Sequence, residues 1–202
     1  MSDFLQQKPL ILASGSKIRS KLLQSTGLKF EIIPSNCNEA LIKQDFTSRN
    51  WTDLGYLLAS HKAFEVSQRF PEHYIIAADQ LCVMDNLLFD KPLDHFTAVN
   101  HLKQLQGKTH QQIACLCIVQ KGKVLWQSHD ISTLRMRTLN DRAIELYLKK
   151  EKPYHSCGAY QYETLGKWLF NDISGKEDTI LGMPLMLLMK ALLSLNIVWF
   201  AH

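Results

Sequence analysis

The chain has 202 residues, of which 46% are hydrophobic and 21% charged, and its formal net charge is +4. This composition is that of a globular protein, and the length suits one good core or two small lobes. The 23 lysines and arginines are scattered. The long basic blocks of nucleic-acid tails are therefore excluded, whereas a mildly basic balance suits an anionic small molecule.

Cysteine usage and the apolar stretches indicate where the protein works. The five cysteines are Cys37, Cys82, Cys115, Cys117 and Cys157. They are odd in number and include no C-x-x-C pair, so they predict neither a zinc site nor a disulfide framework and favour a reducing compartment. No secretory signal opens the chain, and the longest apolar stretch, 181–193, is interrupted by Gly182, Pro184 and Lys190. We therefore expect a cytoplasmic protein with no membrane partner.

Hydrophobic periodicity predicts alternating strands and helices through the first half of the chain. The predicted strands are 10–13, 30–33, 74–78 and 81–84, with 87–89 after a turn at Asp85-Asn86. The predicted helices are 17–26, 52–69 with Leu57 and His61 near its apolar face, and one after Asp94 whose Phe96, Val99, Leu102 and Leu105 lie close to one face. Gly27, Pro71 and Gly107 mark the ends of these helices.

The second half contains two longer strands. Segments 112–119 and 124–137 flank Lys121-Gly122-Lys123, which predicts a hairpin. A helix at 141–150, a strand at 168–173, a glycine-bearing loop at 174–183, a helix at 185–195 after Pro184 and a last strand at 197–200 follow. The order predicts a mixed α/β (α+β) protein of one domain, 1–202, with lobes of about 1–107 plus the C-terminal tail and 108–170 around a cleft.

The stretch Ser14-Gly15-Ser16 joins the first strand to the first helix. A loop of small residues at a helix start exposes backbone N–H groups where the helix dipole is positive, so a phosphate can bind there. Lys17 and Arg19 would strengthen that site. The alternative is that Ser16 only caps the helix and the two cations lie in solvent.

Four further residues carry chemistry. Asp79 follows an apolar strand, a position where open α/β sheets bind ligands, and could hold a metal or a water. A lone aspartate at a strand end is otherwise a turn or cap residue. Lys62 and Lys91, and likewise Glu39, are surface residues when each is considered alone.

Together these pieces resemble the Maf family of nucleotide pyrophosphatases over nearly the whole chain. The motifs that carry the resemblance are Leu12-Ala-Ser-Gly-Ser16 with Arg19 and Leu22-Leu23, Lys62-Ala63, Ala78-Asp79-Gln80, Asp90-Lys91-Pro92, Gly158-Ala-Tyr160, Ser174-Gly175 and Ile180-Leu-Gly-Met-Pro-Leu185. Each motif is short, but their shared order along the chain is specific. The resemblance implies a mixed sheet with flanking helices, similar to that of inosine triphosphatases.

The chain departs from the family pattern at three places. Lys17-Ile18 stands where the family has Pro-Arg before the retained Arg19, so one phosphate-binding guanidinium is absent. Gln80 replaces the threonine of the branch that resembles dTTP and UTP pyrophosphatases, and Glu163 stands where that branch has glutamine. The pattern is nearer to a 7-methyl-GTP-type branch but fits it incompletely, which leaves the preferred base open.

The resemblance implies hydrolysis of nucleoside triphosphates to the monophosphate and pyrophosphate, assisted by Mg²⁺ or Mn²⁺. It also implies removal of non-standard or modified nucleotides, with a link to arrest of cell division. The roles it implies are Asp79 as proton acceptor, Lys62 and Lys91 as catalytic cations, Glu39 with Asp79 as metal ligands, and Ser14, Ser16, Lys17, Arg19, Gln80 and Glu163 as substrate-binding residues. Self-association into a homodimer stays open.

Two other classes of function compete with this one. A nucleotide-binding regulator of septum formation without significant turnover would tolerate the missing arginine at Ile18. A thiol enzyme using Cys115 or Cys157 is a weaker alternative, because Cys115 and Cys117 lie two apart in an apolar strand, where cysteines act as small buried hydrophobes. The eight histidines form no H-x-x-x-H cluster, which argues against a zinc hydrolase.

Overall fold

The computed structural model describes residues 5–48 and 50–199. Its strands are β1 (Leu10–Leu12), β2 (Glu31–Ile32), β3 (Tyr74–Met84), β4 (Leu87–Leu88), β5 (Thr109–Gln120), β6 (Lys123–Met136) and β7 (Phe170–Ser174). Its helices are α1 (Lys17–Gln24), α2 (Glu39–Gln44), α3 (Trp51–Arg69), α4 (His95–Leu105), α5 (Asp141–Glu151), α6 (Glu177–Ile180) and α7 (Leu185–Ser194), with two 3-10 helices, Cys157–Ala159 and Leu165–Leu169. Within residues 5–48 and 50–199, every helix is too short or too polar to span a bilayer.

The strands form a mixed sheet. Strand β1 pairs in parallel with β2 and β3, whereas β4 pairs antiparallel with β3, and β7 antiparallel with β6. The strand order is β2-β1-β3-β5-β6-β7, with β4 beside β3. The predicted mixed α/β class is therefore confirmed.

The chain divides into two compact units. The first unit comprises 1–79, 114–130 and 182–202, and the second comprises 80–113 and 131–181. Strands β3, β5 and β6 each contribute residues to both units, because the unit boundaries fall inside them.

The first unit buries both faces of its strands. Leu10 and Leu12 of β1 belong to one apolar cluster, and Ile11 and Ala13 belong to another. Strand β3 divides its side chains between the same two clusters. Continuous apolar runs such as that of β1 are what a strand needs when both faces of a parallel sheet are covered.

Two predicted helix faces are wrong in part. Phe96 is 75% exposed, whereas Leu102 and Leu105 are fully buried. Steps of three residues fall behind the helical repeat of about 3.6 residues, so Phe96 lies on the opposite side of α4 from Leu105. On α3, Leu57 and His61 are not in the core but line a surface hollow beside α2.

Several elements differ from the predicted ones. Strand β3 runs without a break through Asp79, which therefore lies within a strand and not at its end. Helix α6 lies in the predicted loop 174–183, and α2 lies in a segment for which no element is predicted; each helix is too short to show a helical period. In place of the predicted strand 197–200, a single bridge joins Gln6 to Val198, and Phe200 lies outside the described residues.

The core of the second unit contains a buried polar network. The Tyr160 hydroxyl accepts a hydrogen bond from Gln112 Nε2 at 2.6 Å and lies 2.9 Å from His110 Nε2. Gly158, two residues earlier, has a φ of +75°, and a Cβ there would lie 2.8 Å from Cys82 Sγ. The motif Gly158-Ala-Tyr160 thus has a packing role, because only glycine fits that conformation and that space.

His110 makes the stability of the second unit sensitive to acid. Burial lowers the pKa of His110 to about 4, and its Nδ1 has no hydrogen-bond partner among the described residues. The folded protein therefore holds the neutral ring, while the unfolded chain takes up a proton near its ordinary pKa of about 6.5. The contribution of His110 to the free energy of unfolding should be fully present above about pH 6.5. It should be lost as the pH drops towards 4, by about 1.4 kcal/mol per pH unit.

Urea unfolding between pH 4 and pH 8 measures this slope. In His110→Gln the slope should be smaller, whereas in His155→Gln, where the ring is exposed, it should equal that of the unsubstituted protein. If the free energy of unfolding fell with the same slope against pH in all three proteins, His110 would not be the cause of the acid sensitivity.

Candidate functional site

The loop between β1 and α1 is organised by its two serines. Ser14 Oγ accepts a hydrogen bond from the backbone N–H of Ser16 at 3.2 Å, and Ser16 Oγ accepts one from the N–H of Arg19 at 3.4 Å. Ser16 is thus the N-cap of α1, as the alternative sequence interpretation expects. Lys17 lies exposed at the first position of the helix.

Lys62 joins two carboxylates from different elements. Its Nζ lies 2.5 Å from Asp79 Oδ1 on β3 and 3.1 Å from Glu39 Oε1 at the start of α2. The side chains of Lys62 and Asp79 are only 11% and 8% exposed. Lys62 is therefore not a surface residue, and Asp79 is not a turn or cap residue. Glu39, with 30% of its side chain exposed, is half-buried in this ion pair.

The charges around Lys62 act on it in opposite directions. Burial lowers the pKa of Lys62 and so does the nearby Arg19 guanidinium, but Asp79 and Glu39 raise it, and the net result is a pKa above the ordinary value. Lys62 therefore stays an ammonium ion at neutral pH. A buried cation between two carboxylates leaves this cluster with a net charge of about −1 when both acids are ionised.

Arg19 binds the backbone of two other segments of the first unit. Its Nη1 donates to the carbonyl oxygen of Ala78 at 2.8 Å, and its Nε donates to that of Gly182 at 3.0 Å. Sequence reasoning missed both carbonyls, because a backbone oxygen carries no signal in the residue type. The structure thus brings six predicted site residues together in the first unit: Ser14, Ser16, Arg19, Glu39, Lys62 and Asp79.

Apart from Lys17, which is exposed in the first unit, the remaining predicted residues belong to the second unit. The Gln80 amide nitrogen donates to the carbonyl oxygen of Thr179 at 3.4 Å and, more closely, to that of Ile180. Because a carbonyl can only accept, this arrangement orients the Gln80 amide with its nitrogen towards the segment that contains α6. Lys91 and Glu163 are exposed on loops.

The thiols of β5 are unsuited to nucleophilic catalysis. Cys115 and Cys117 are completely buried, as predicted. Burial raises the pKa of each of these thiols to about 12. Since the thiolate is the reactive form, both cysteines are inert at neutral pH.

Glu39 and Asp79 are the carboxylates that could hold a divalent cation. Within 5–48 and 50–199, no group of three or more His, Cys, Asp or Glu side chains has metal-binding geometry. Mg²⁺ is commonly held by one or two carboxylates together with substrate phosphates and water, so two carboxylates fit that ion. Both already contact Lys62, and a cation would have to share their oxygens with the ammonium group.

Comparison with known proteins extends the resemblance. The family model described as Maf-like protein matches residues 9–195. A nucleoside triphosphate pyrophosphatase of Legionella pneumophila (strain Paris) is 61% identical over 198 residues, which cover 98% of this chain and 99% of the relative. A nucleoside triphosphate pyrophosphatase of Nitrobacter hamburgensis is 39% identical over 196 residues, covering 96% and 97%.

Among solved structures, a nucleoside-triphosphatase / dITP/XTP pyrophosphatase of Mycobacterium abscessus overlaps with 65% of this chain and 75% of its own, with 14% identity and a TM-score of 0.41. The family model and the two sequence relatives each match nearly the full length of this chain, and the chain therefore belongs to the Maf family.

Proposed function

We propose that the protein hydrolyses nucleoside triphosphates to the nucleoside monophosphate and pyrophosphate. The observation that carries the proposal is the Lys62 ammonium group held between Asp79 and Glu39. The names of the Legionella and Nitrobacter relatives, which share 61% and 39% of their residues with this chain, support it.

Phosphoryl transfer mainly requires positioning of the reactants and neutralisation of the charge that develops. Lys62 is suited to neutralisation because its raised pKa keeps it protonated. The backbone N–H groups of the Ser14–Ser16 loop and the exposed Lys17 would bind the triphosphate at the start of α1.

Asp79 is the proposed proton acceptor. The oxygen of a water molecule attacks the α-phosphorus, the bond from that phosphorus to the bridging oxygen breaks, and pyrophosphate leaves with the bonding electrons. The proton released by the water passes to the Asp79 carboxylate, whose contact with Lys62 fixes its orientation.

We propose that Glu39 and Asp79 also hold a divalent cation, Mg²⁺ or Mn²⁺. When bound, such an ion would neutralise phosphate charge and lower the pKa of a bound water. Lys62 would then set how much of each carboxylate is available, because it contacts one oxygen of each.

Three predicted residues are the proposed groups for the rest of the substrate: Gln80, Lys91 and Glu163. On the sequence pattern, Lys91 would neutralise the leaving pyrophosphate, and Gln80 and Glu163 would contact the base. The exposed Glu163 carboxylate would accept hydrogen bonds from base N–H donors, which favours guanine-like edges and modified guanines. We also propose a cytoplasmic location, where nucleotides are the substrates and free thiols stay reduced.

A nucleotide panel tests the activity directly. Purified protein is incubated with normal and modified nucleoside triphosphates, with and without Mg²⁺ or Mn²⁺, and pyrophosphate is measured. We expect release that EDTA abolishes and that added metal restores, since the proposed cation shares the phosphate charge with Lys62. Tight nucleotide binding without any pyrophosphate release would instead support the regulator.

Asp79→Asn tests the proposed proton acceptor. The amide is nearly isosteric but is neither a base nor an anionic ligand, so kcat should fall by about 10²- to 10⁴-fold. Asp85→Asn is the matched control, because Asp85 is exposed in the turn after β3 with a φ of +54° that asparagine tolerates. Folding of both variants is checked by thermal unfolding, and near-normal pyrophosphate release by folded Asp79→Asn would refute the role.

A further inference from the structure

Arg19 contacts main-chain oxygens of two segments of the first unit, and one of these oxygens belongs to the residue before Asp79. We propose that Arg19 is a positioning residue, which fixes the Asp79 carboxylate by holding the carbonyl groups of Ala78 and Gly182. This inference rests on the proposed function, and it assigns Arg19 a role different from the direct phosphate contact that the family resemblance implies.

The pairing of β3 explains why its backbone needs support next to Asp79. Strand β1 pairs with β3 only as far as Leu12 and Ile76. The N–H of Ala13 then donates to the carbonyl oxygen of Ile76 at 2.8 Å. Because carbonyls alternate along a strand, the next one on that side is that of Ala78, and it accepts from Arg19 Nη1. The guanidinium thus takes the place of the neighbouring strand where β1 has ended.

The second contact of Arg19 is a hydrogen bond to Gly182, the first residue of the last segment of the first unit. Gly182 is buried and has a φ of +81°, and the fully buried Met183 follows it before α7 begins at Leu185. Arg19 Nε donates to the Gly182 carbonyl at 3.0 Å. One side chain on α1 therefore connects positions that lie 59 and 163 residues away in the sequence.

The chemistry of the side chain matches this task. A guanidinium group presents several N–H donors in a rigid plane, so two of them reach two carbonyl oxygens at a fixed separation. A lysine ammonium at the same position keeps the charge but is a single point donor on a flexible stem. Lysine should therefore reproduce an electrostatic role of Arg19 and fail to reproduce the positioning role.

The consequence for the site follows from the neighbouring residue. Asp79 comes directly after Ala78, and its carboxylate must meet Lys62 Nζ, which comes from α3. A displacement of the strand by about 1 Å costs on the order of 10²-fold in rate when reacting groups are misaligned. Arg19 is also close enough to Lys62 for its charge to lower the pKa of that lysine. The guanidinium group therefore lies near the ion pair of Lys62 with Asp79.

The test compares Arg19→Lys and Arg19→Met with a control on the same helix, Lys21→Met. Lys21 is an exposed cation two residues further along α1. We expect kcat for pyrophosphate release to fall about 10²-fold in both Arg19 variants, with KM for the nucleotide changed by less than about threefold, and Lys21→Met to match the unsubstituted protein. A KM increase of about tenfold at unchanged kcat, or normal kcat in Arg19→Lys, would overturn the proposal in favour of direct phosphate binding.

Amide hydrogen exchange gives a readout that does not depend on activity. In folded Arg19→Lys, exchange should quicken in β3 near Ala78 and in the segment around Gly182, and it should stay unchanged in Lys21→Met. Unaltered exchange at both places would overturn the positioning role. If the unsubstituted protein releases no pyrophosphate, the proposed function fails, while the exchange result still decides whether Arg19 holds these carbonyls.

Discussion

The ion pair between Lys62 and Asp79, with Glu39 on its other side, is the interaction on which the candidate site depends. Taking charges out of water is costly, and such a cost is tolerated only when each charge finds partners of opposite sign. Lys62 has two such partners, Asp79 and Glu39, and together they raise its pKa by more than burial lowers it. The two carboxylates therefore keep the Lys62 charge, which would act on a polyanionic substrate, in place before any substrate binds.

This arrangement needs three elements from separate parts of the chain. Strand β3 carries Asp79, α3 carries Lys62 seventeen positions earlier in the sequence, and α2 begins with Glu39 after its cap Asn38. Apolar clusters on both faces of β1 and β3 hold the strands, while Arg19 connects α1 to the carbonyl before Asp79. Electrostatic preorganisation of this kind acts without further rearrangement when charge develops on a substrate.

Sequence patterns predicted the parts of this structure that depend on local chemistry. The helix cap at Ser16, the turn at Lys121-Gly122 and the buried strand of Cys115 follow from side-chain size, φ preference and apolar runs. The continuous course of β3 through Asp79 did not follow, because a charged residue interrupts the apolar run. Its partner Lys62 stabilises the charge, and no local pattern reveals that partner.

The division of the chain into units has a consequence for its synthesis on the ribosome. One apolar cluster of the first unit combines Leu12 and Ile76 with Leu116, Met183 and Leu188. Those side chains lie far apart along the chain and therefore leave the ribosome at different times. Since domains fold as their segments become available, this unit can close its core only after the segment from Gly182 has left the exit tunnel. Until then, part of the apolar surface of β1 and β3 stays uncovered.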